Sequence, residues 1–489
     1  MSSLPDGNPP MRPGGLFVAH VSRRDGHDFA ADAIGHGARA ALVGRIPENL
    51  RAAVARGAVA VADFRPGAAA RPAADAAEAR PLLVVVRQPL LALQGVAAWW
   101  RRRHGARVLA VAGAVGKTTT KELLANAVSR RYVTLRTAGN FNNELGLPIT
   151  LLGLTPGHQA AVLEIGISEV GEMATFAAVA GADVAVMTRI VPEHMEFLRD
   201  LDTVEREEGG LIAALPAGGV AVLNAGDPRV ARMAARTPAA VVRFGDPDAA
   251  PATAGGRGAA SGTGVDVWAA DVVTLGLEGL TFTLHAPAYP GGPRPVRLPL
   301  VGRHFVTAAL AAAGAAFAAG CGWEDVVGGL EQTPETQRLA PRRLPGGVTV
   351  LDDAYNASPD SVKASLDVLA ALPSGGGRRL ALLGDMLEMG DHGPPAHREL
   401  GAHVPGRADV LITVGELGRE IARAAREAGV PSADVYECDS ASGAVSLLRH
   451  ILRPGDMLLV KASHGMRLES VVDALDSGGG PGSRGGRGA

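Results

Sequence analysis

Short apolar runs, each closed by a glycine-bearing or polar turn, recur from Val108 onward: "VLAVAG", "AAVLEIG", "VAVMT" and "VAVLNAGD". Segments with the helical spacing of apolar residues separate them, and this alternation predicts a parallel sheet covered by helices. The pattern returns after about residue 348 with "VTVLDD", "RLALLGDM", "VLITVG" and "DMLLVKAS", so an α/β architecture is expected in both stretches. In such sheets ligands gather outside the carboxyl ends of the strands. The residues just past each run are therefore the ones to examine.

Three stretches break the pattern. "RPGAAARPAADAAEAR" at 65–80 has no apolar periodicity and reads as a surface loop. "AAPATAGGRGAASGTG" at 249–264 is too rich in Gly and Ala to pack, and the tail "SGGGPGSRGGRGA" from Ser477 reads as disordered. No site residue is expected in any of them.

Composition narrows the function classes. A chain of 489 residues has room for about three domains. Its 47% hydrophobic content and formal charge of −2 describe a soluble globular protein, with nothing to suggest a nucleic-acid partner. No apolar run reaches the roughly eighteen residues that span a bilayer. The start "MSSLPDGNPPMRPGG" lacks the basic end and apolar centre of a signal peptide, so a cytoplasmic address without membrane insertion is expected. Cys321 and Cys438 are too few and too far apart for a disulfide framework or a zinc site, and read as small buried hydrophobes.

The first chemistry lies in "VLAVAGAVGKTTTK" at 108–121. The apolar run through Ala112 gives way to a turn at Gly113, and "TTTKELLANAVSRR" then has a helix-forming composition. The free N–H groups and positive end of that helix point back at the loop, where Gly113, Ala114, Val115 and Gly116 leave room for an anion. Lys117 is placed to neutralise terminal phosphates and Thr118 to reach a magnesium ion. The full pattern G-x-x-x-x-G-K-[ST] asks for glycine at 111, where this chain has Val111. The alternative is an ordinary strand-to-helix turn that happens to precede a lysine.

Past the next two runs stand Glu164 and His194. A carboxylate and a neutral imidazole facing the loop suit a hard cation bridging ATP phosphates, with His194 the weaker ligand. By position alone, Glu164 is equally a helix cap or surface acid, and His194 a hydrogen-bonded structural residue.

Four blocks decide between these readings, because together they resemble the Mur ligase family, and within it the branch that adds D-alanyl-D-alanine. They are "GAVGKTTTKE", "RTAGNFNNELGLPITLLGL" at 136–154, "LEIGISEVGEM", and the pair "LDDAYNASPDSVKASLDVL" with "LLGDMLEMGDHGPPAHRELG". In that family the first loop glycine sits three residues before the second, so Val111 is normal there. The resemblance implies an ATP-dependent, ADP-forming ligase in three domains. They are an N-terminal substrate domain at 1–104, a central P-loop ATPase domain at 105–333 and a Rossmann-like domain at 334–476, ahead of a tail at 477–489. A carboxylate attacks the γ-phosphate to give an acyl phosphate, and an amine then displaces phosphate. Such chemistry rests on positioning and charge neutralisation.

Site residues carry over from the same resemblance. Lys117, His194 and Glu208 form the catalytic set. Gly113 to Thr119, His304, Arg338, Asp353 and Asn356 bind ATP, and Thr118, Glu164, His194 and Glu208 hold Mg2+. Asn140, Asn142 and Asn143, with Asp385, Glu388 and Lys461, serve the substrates. A surface charge is the alternative for Arg338. The partners implied are a small-molecule carboxylate and an amino acid or dipeptide, joined by a monomeric enzyme.

The chain departs from the family in three places. In "VEREEGGLI" the family carries a lysine, often carbamylated, where this chain has Glu208. A glutamate supplies that anionic pair directly, while the alternative is a solvated acidic helix face shared with Glu205 and Glu207. In "GRHFVTAALAAAG" His304 is kept, but Phe305 and Ala308 replace two asparagines near the base, which leaves an aromatic to stack instead. Residues 7–9 read Gly, Asn, Pro, where a uridine-gripping Asp-Ser-Arg is expected. The default substrates are UDP-MurNAc-tripeptide and D-alanyl-D-alanine. The missing segment, however, favours a smaller, non-UDP-linked carboxylate handled by a diverged paralogue. A nucleotide-binding regulator without catalysis is the third reading.

Overall fold

Strands form where the apolar runs predict them, and the computed structural model describes residues 13–21, 24–68, 80–246, 264–334, 338–373 and 375–477. Residues 7–9, most of 65–80 and 249–264, and the tail after Ser477 lie outside the described residues.

The chain divides into two compact units, one holding the residues up to His104 together with Glu144–Leu154. In that unit β1 (Leu16–Val18), β2 (Ala40–Val43), β3 (Ala60–Asp63) and β4 (Leu82–Val85) make a parallel sheet ordered β1-β2-β4-β3. Ala41, Val43, Leu83 and Val85 are fully buried at its centre. Helix Pro89–Arg103 follows, with proline in the first turn, where no N–H is needed. Its Gln94 amide donates to the Glu144 carbonyl at 3.1 Å and its Trp100 indole to the Leu154 carbonyl at 3.0 Å. These bonds pin both ends of the segment carrying helix Gly146–Leu152. The block at 136–154 is thereby split: its asparagines at 140, 142 and 143 stay with the second unit and its helix joins the first.

The second unit contains two large sheets. In one, β5 (Arg107–Ala112), β6 (Thr134–Arg136), β7 (Ala160–Glu164), β8 (Val184–Met187), β9 (Val220–Asn224) and β10 (Ala240–Phe244) run parallel in the order β10-β9-β8-β5-β7-β6. The first strand lies inside the sheet between β7 and β8, so a crevice opens beyond its carboxyl end. Helix Phe305–Ala318, mostly alanine, is a strong helix former and lies almost wholly buried beneath this sheet. A small antiparallel sheet of β11 (Trp268–Thr274), β12 (Leu280–His285) and β13 (Arg294–Leu298) lies between the two large ones in sequence.

The other large sheet orders β14 (Ala340–Arg343), β15 (Thr349–Asp352), β16 (Arg379–Gly384), β17 (Val410–Val414), β18 (Val435–Cys438) and β19 (Met457–Lys461) as β14-β15-β19-β16-β17-β18, with only β14 antiparallel to its neighbour. Successive side chains of a strand point to opposite faces, and here both faces are covered. Leu351, Leu383, Leu411 and Leu459 join a core shared with the first large sheet. Val350, Leu382, Ile412 and Leu458 fill a second core on the other side. That double burial is why these strands read as continuous apolar runs.

Candidate active site

At the end of β5 the chain turns at Gly113 with φ 112°, where a Cβ would stand 2.4 Å from the Thr188 hydroxyl. Only glycine fits. Gly116, at φ 90°, then opens helix Lys117–Ser129, while within the loop the Ala114 N–H donates to the Arg189 carbonyl at 2.7 Å. Val111 is fully buried in β5, so the strand needs its side chain.

Around this loop acidic groups converge on one ammonium. Lys117 Nζ donates to Glu193 at 3.1 Å and to the Ala114 carbonyl at 3.3 Å. Burial pulls its pKa down, but the charges of Glu193, Glu208 and Glu164 outweigh that and hold it above its ordinary value. Glu208 is 1% exposed, so it belongs to the loop and not to a solvated acidic face. Its Oε2 accepts the Gly113 N–H at 2.9 Å, and burial lifts its pKa to about 7 against the pull of Lys117.

Glu164 ends β7 beside the same helix. Its Oε1 accepts the Thr118 hydroxyl at 3.2 Å and the Asn142 amide at 2.8 Å. Its Oε2 is buried and has no hydrogen-bond partner, and neither has the buried hydroxyl of Tyr355. Native proteins seldom leave such atoms unpaired, and a bound ion or an ordered water satisfies them where protein groups do not. Among the described residues no three His, Cys, Asp or Glu side chains enclose a metal position by themselves. That donor set fits Mg2+, which takes one or two carboxylates and otherwise keeps water and phosphate oxygens.

His194 reaches the loop from beyond β8. Its Nδ1 bonds Glu388 at 2.6 Å and its Nε2 lies 3.8 Å from Glu193. Burial lowers its pKa, but Glu388 and Glu193 more than offset this and raise it. Glu388, expected on the amino-substrate side, is thus joined to His194. Its carboxyl pKa is lowered by that bond.

The second sheet contributes a separate cluster. Asp353 Oδ2 accepts Lys461 Nζ at 2.6 Å and the Ser365 hydroxyl at 2.8 Å, and Lys461 also donates to the Asn356 carbonyl at 2.9 Å. The Lys461 ammonium therefore bonds the expected nucleotide residues Asp353 and Asn356. Burial lowers its pKa, with Asp353 opposing and Arg338 adding to the fall. The Arg338 guanidinium lies 4.2 Å over the Tyr355 ring, a geometry that leaves its donor edge available to a phosphate. Asp385 accepts the Gly418 N–H at 2.7 Å and so serves to hold helix Gly418–Glu427 in place.

His304 is exposed, and desolvation by the surrounding protein lowers its pKa to about 4, with Asp353 opposing the fall. The open face is the fact that matters for a ligand. Phe305, by contrast, is 5% exposed in the core, so the aromatic expected to stack on a base is unavailable and His304 is the ring that can. Thr119 is buried in the first helical turn, Asn140 is exposed, and Asn143 is half-buried.

Three residues escaped the sequence reading. Glu193 precedes His194 directly, an acid beside a site histidine. Tyr355 and Lys121 lie inside blocks already quoted, where their neighbours drew attention. Lys121 is fully buried, pairs with Glu122 and donates to the Thr137 carbonyl at 3.0 Å, while Thr137's hydroxyl accepts the Glu164 N–H at 3.1 Å. It fixes the start of the asparagine loop.

The chain is similar to known proteins along most of its length. Residues 111–316 match the Mur ligase middle domain and 337–464 the Mur ligase, glutamate ligase domain. UDP-N-acetylmuramoyl-tripeptide–D-alanyl-D-alanine ligase of Mycobacterium tuberculosis is 34% identical over 489 residues, covering 95% of this chain and 90% of that protein. Its Escherichia coli counterpart is 31% identical, covering 96% and 92%. A crystal structure of MurF from Acinetobacter baumannii superposes with a TM-score of 0.77 at 28% identity, over 96% of this chain and 91% of that one. MurF of Thermotoga maritima in complex with ADP shares the fold, with a TM-score of 0.74 at 24% identity, over 96% and 95%. No described helix is long and apolar enough to cross a membrane.

Proposed function

The chain belongs to the Mur ligase family and is an ATP-dependent, peptide-forming ligase, and from that premise we propose that it joins D-alanyl-D-alanine to UDP-MurNAc-tripeptide. The observation that carries the mechanism is the convergence of Glu164, Glu193 and Glu208 on Lys117 at the crevice beyond β5. The expectation of a smaller acceptor gives way. Relatives bearing the D-alanyl-D-alanine ligase name match along nine-tenths of their length, and a regulator without catalysis is not favoured either.

With the Gly113 and Ala114 N–H groups bonded to Glu208 and to the Arg189 carbonyl, the amides from Val115 to Thr119 cradle the ATP phosphates, and Lys117 neutralises the γ-phosphoryl as the acceptor carboxylate attacks it. Thr118, Glu164, His194 and Glu208 are the residues to hold Mg2+, which supplies charge neutralisation between phosphates. Arg338, Asp353 and Asn356 take the nucleotide from the second sheet, and His304 faces its base. Asn142, held against Glu164, orients the acceptor carboxylate beside the metal-binding oxygen. Residues 105–333 and 334–476 act as two domains closing over the reactants.

ADP release tests the reading. It should require UDP-MurNAc-tripeptide and D-alanyl-D-alanine together. Equal release with a free, non-UDP-linked carboxylate would overturn the acceptor assignment while leaving the ligase intact.

A further inference from the structure

His194 and Glu388 both hold left-handed backbone, at φ 51° and 63°, and their side chains meet at 2.6 Å. Residues with a Cβ rarely adopt this conformation, which persists only where the surroundings impose it. Here the surroundings are each other's loops. The Glu196 N–H donates to the Glu388 carbonyl at 3.4 Å, and Gly390, itself at φ 52°, lies so close that a Cβ would touch Glu196 Cα at 3.4 Å. The loop after β16 therefore rests on the turn after β8 at the histidine.

Bonding to a carboxylate keeps a proton on Nδ1, so Nε2 is the nitrogen that a cation can take by displacing any proton held there. That nitrogen faces the Glu193 carboxylate, which in turn holds Lys117. We propose that Glu388 is a positioning residue of the metal site, setting the tautomer and angle of His194 so that Nε2 is presented to the cation. Metal-ligating histidines characteristically donate their other N–H to a carboxylate in this way. The metal site is thereby complete only while the loop from the second sheet rests on the turn 194–196. The proposal depends on reading His194 as a metal ligand.

Mn2+ titrated into the full chain with a non-hydrolysable ATP analogue, and followed by its paramagnetic resonance signal, separates the two ideas. His194→Ala and Glu388→Ala should each weaken Mn2+ binding by about 10-fold to 100-fold. Glu388→Gln, whose amide oxygen still accepts the Nδ1 proton, should recover most of that loss. Nitrogen NMR of the metal-free protein should show the His194 proton fixed at Nδ1 in the wild type and redistributed in Glu388→Ala. Glu388→Asp, too short to reach the ring, replaces the alanine variant if that one does not fold. Wild-type affinity in His194→Ala would overturn the metal reading itself. Weakened binding in His194→Ala with wild-type affinity in Glu388→Ala overturns the positioning role alone, as does a lower thermal midpoint for Glu388→Ala with unchanged Mn2+ affinity.

Discussion

Glu208 Oε2 accepts the Gly113 N–H at 2.9 Å, so a side chain from helix Leu201–Ala213 occupies an amide of the phosphate loop. A carboxylate at this place needs no bicarbonate to carry its charge. Turnover should be unchanged by bicarbonate depletion. Glu208→Gln, which keeps size and loses charge, should lower kcat by about 100-fold or more across a magnesium titration. Normal turnover in that variant would leave the carboxylate without a role in the reaction.

Lys117→Ala should reduce ADP formation by roughly 100-fold or more while circular dichroism stays as in the wild type. The ammonium is the positive centre among three carboxylates. More than half of wild-type turnover at saturating ATP would mean the loop does not bind phosphate.

Tyr355→Phe distinguishes a used hydroxyl from an idle one. A buried hydroxyl without a partner costs the fold about 1–3 kcal/mol, so its removal should hold or raise the thermal midpoint. If the hydroxyl meets substrate, kcat/KM should fall by about tenfold in the same variant. Gain in stability with unchanged kinetics shows the hydroxyl takes no part in catalysis.

Lys121→Met removes one of the two cations paired with buried Glu122, leaving Arg136 at 3.3 Å, and should cost about 1–3 kcal/mol in urea unfolding. Because Lys121 also holds the Thr137 carbonyl, KM for the acceptor should rise more than KM for ATP. Equal effects on both would assign Lys121 to packing alone.

His304 carries a pH signature. Its folded pKa of about 4 lies below the ordinary 6.5, so the unfolded chain takes up the proton first as pH falls. The wild type should keep its full stability above about pH 6.5 and lose part of it progressively down to about pH 4, relative to His304→Gln. Parallel denaturation midpoints for the two proteins over that range would show an unperturbed ring.

Much of this protein was legible along the chain. The strands at 107–112, 160–164, 184–187 and 457–461 are buried on both faces, and such strands read as continuous apolar runs whatever their neighbours. Gly113 and Lys117 were legible for a related reason. A tight turn and a phosphate cradle are built from consecutive residues, and local spacing records them. The pairings were not. Glu208 could be a solvated acid or a loop ligand until helix Leu201–Ala213 was packed with its carboxylate inward, 95 residues from its partner Gly113. Lys461 and Asp353 are 108 residues apart, and His194 and Glu388 are 194 apart. A charged side chain becomes a ligand, a positioning group or a surface acid according to what excludes water around it, and that exclusion is made by elements distant in sequence. Sequence thus determined the strands, the turn and the lysine that follows it, whereas the partner of each buried charge was decided by tertiary packing, because only packing sets the local dielectric and brings opposite charges within hydrogen-bonding distance.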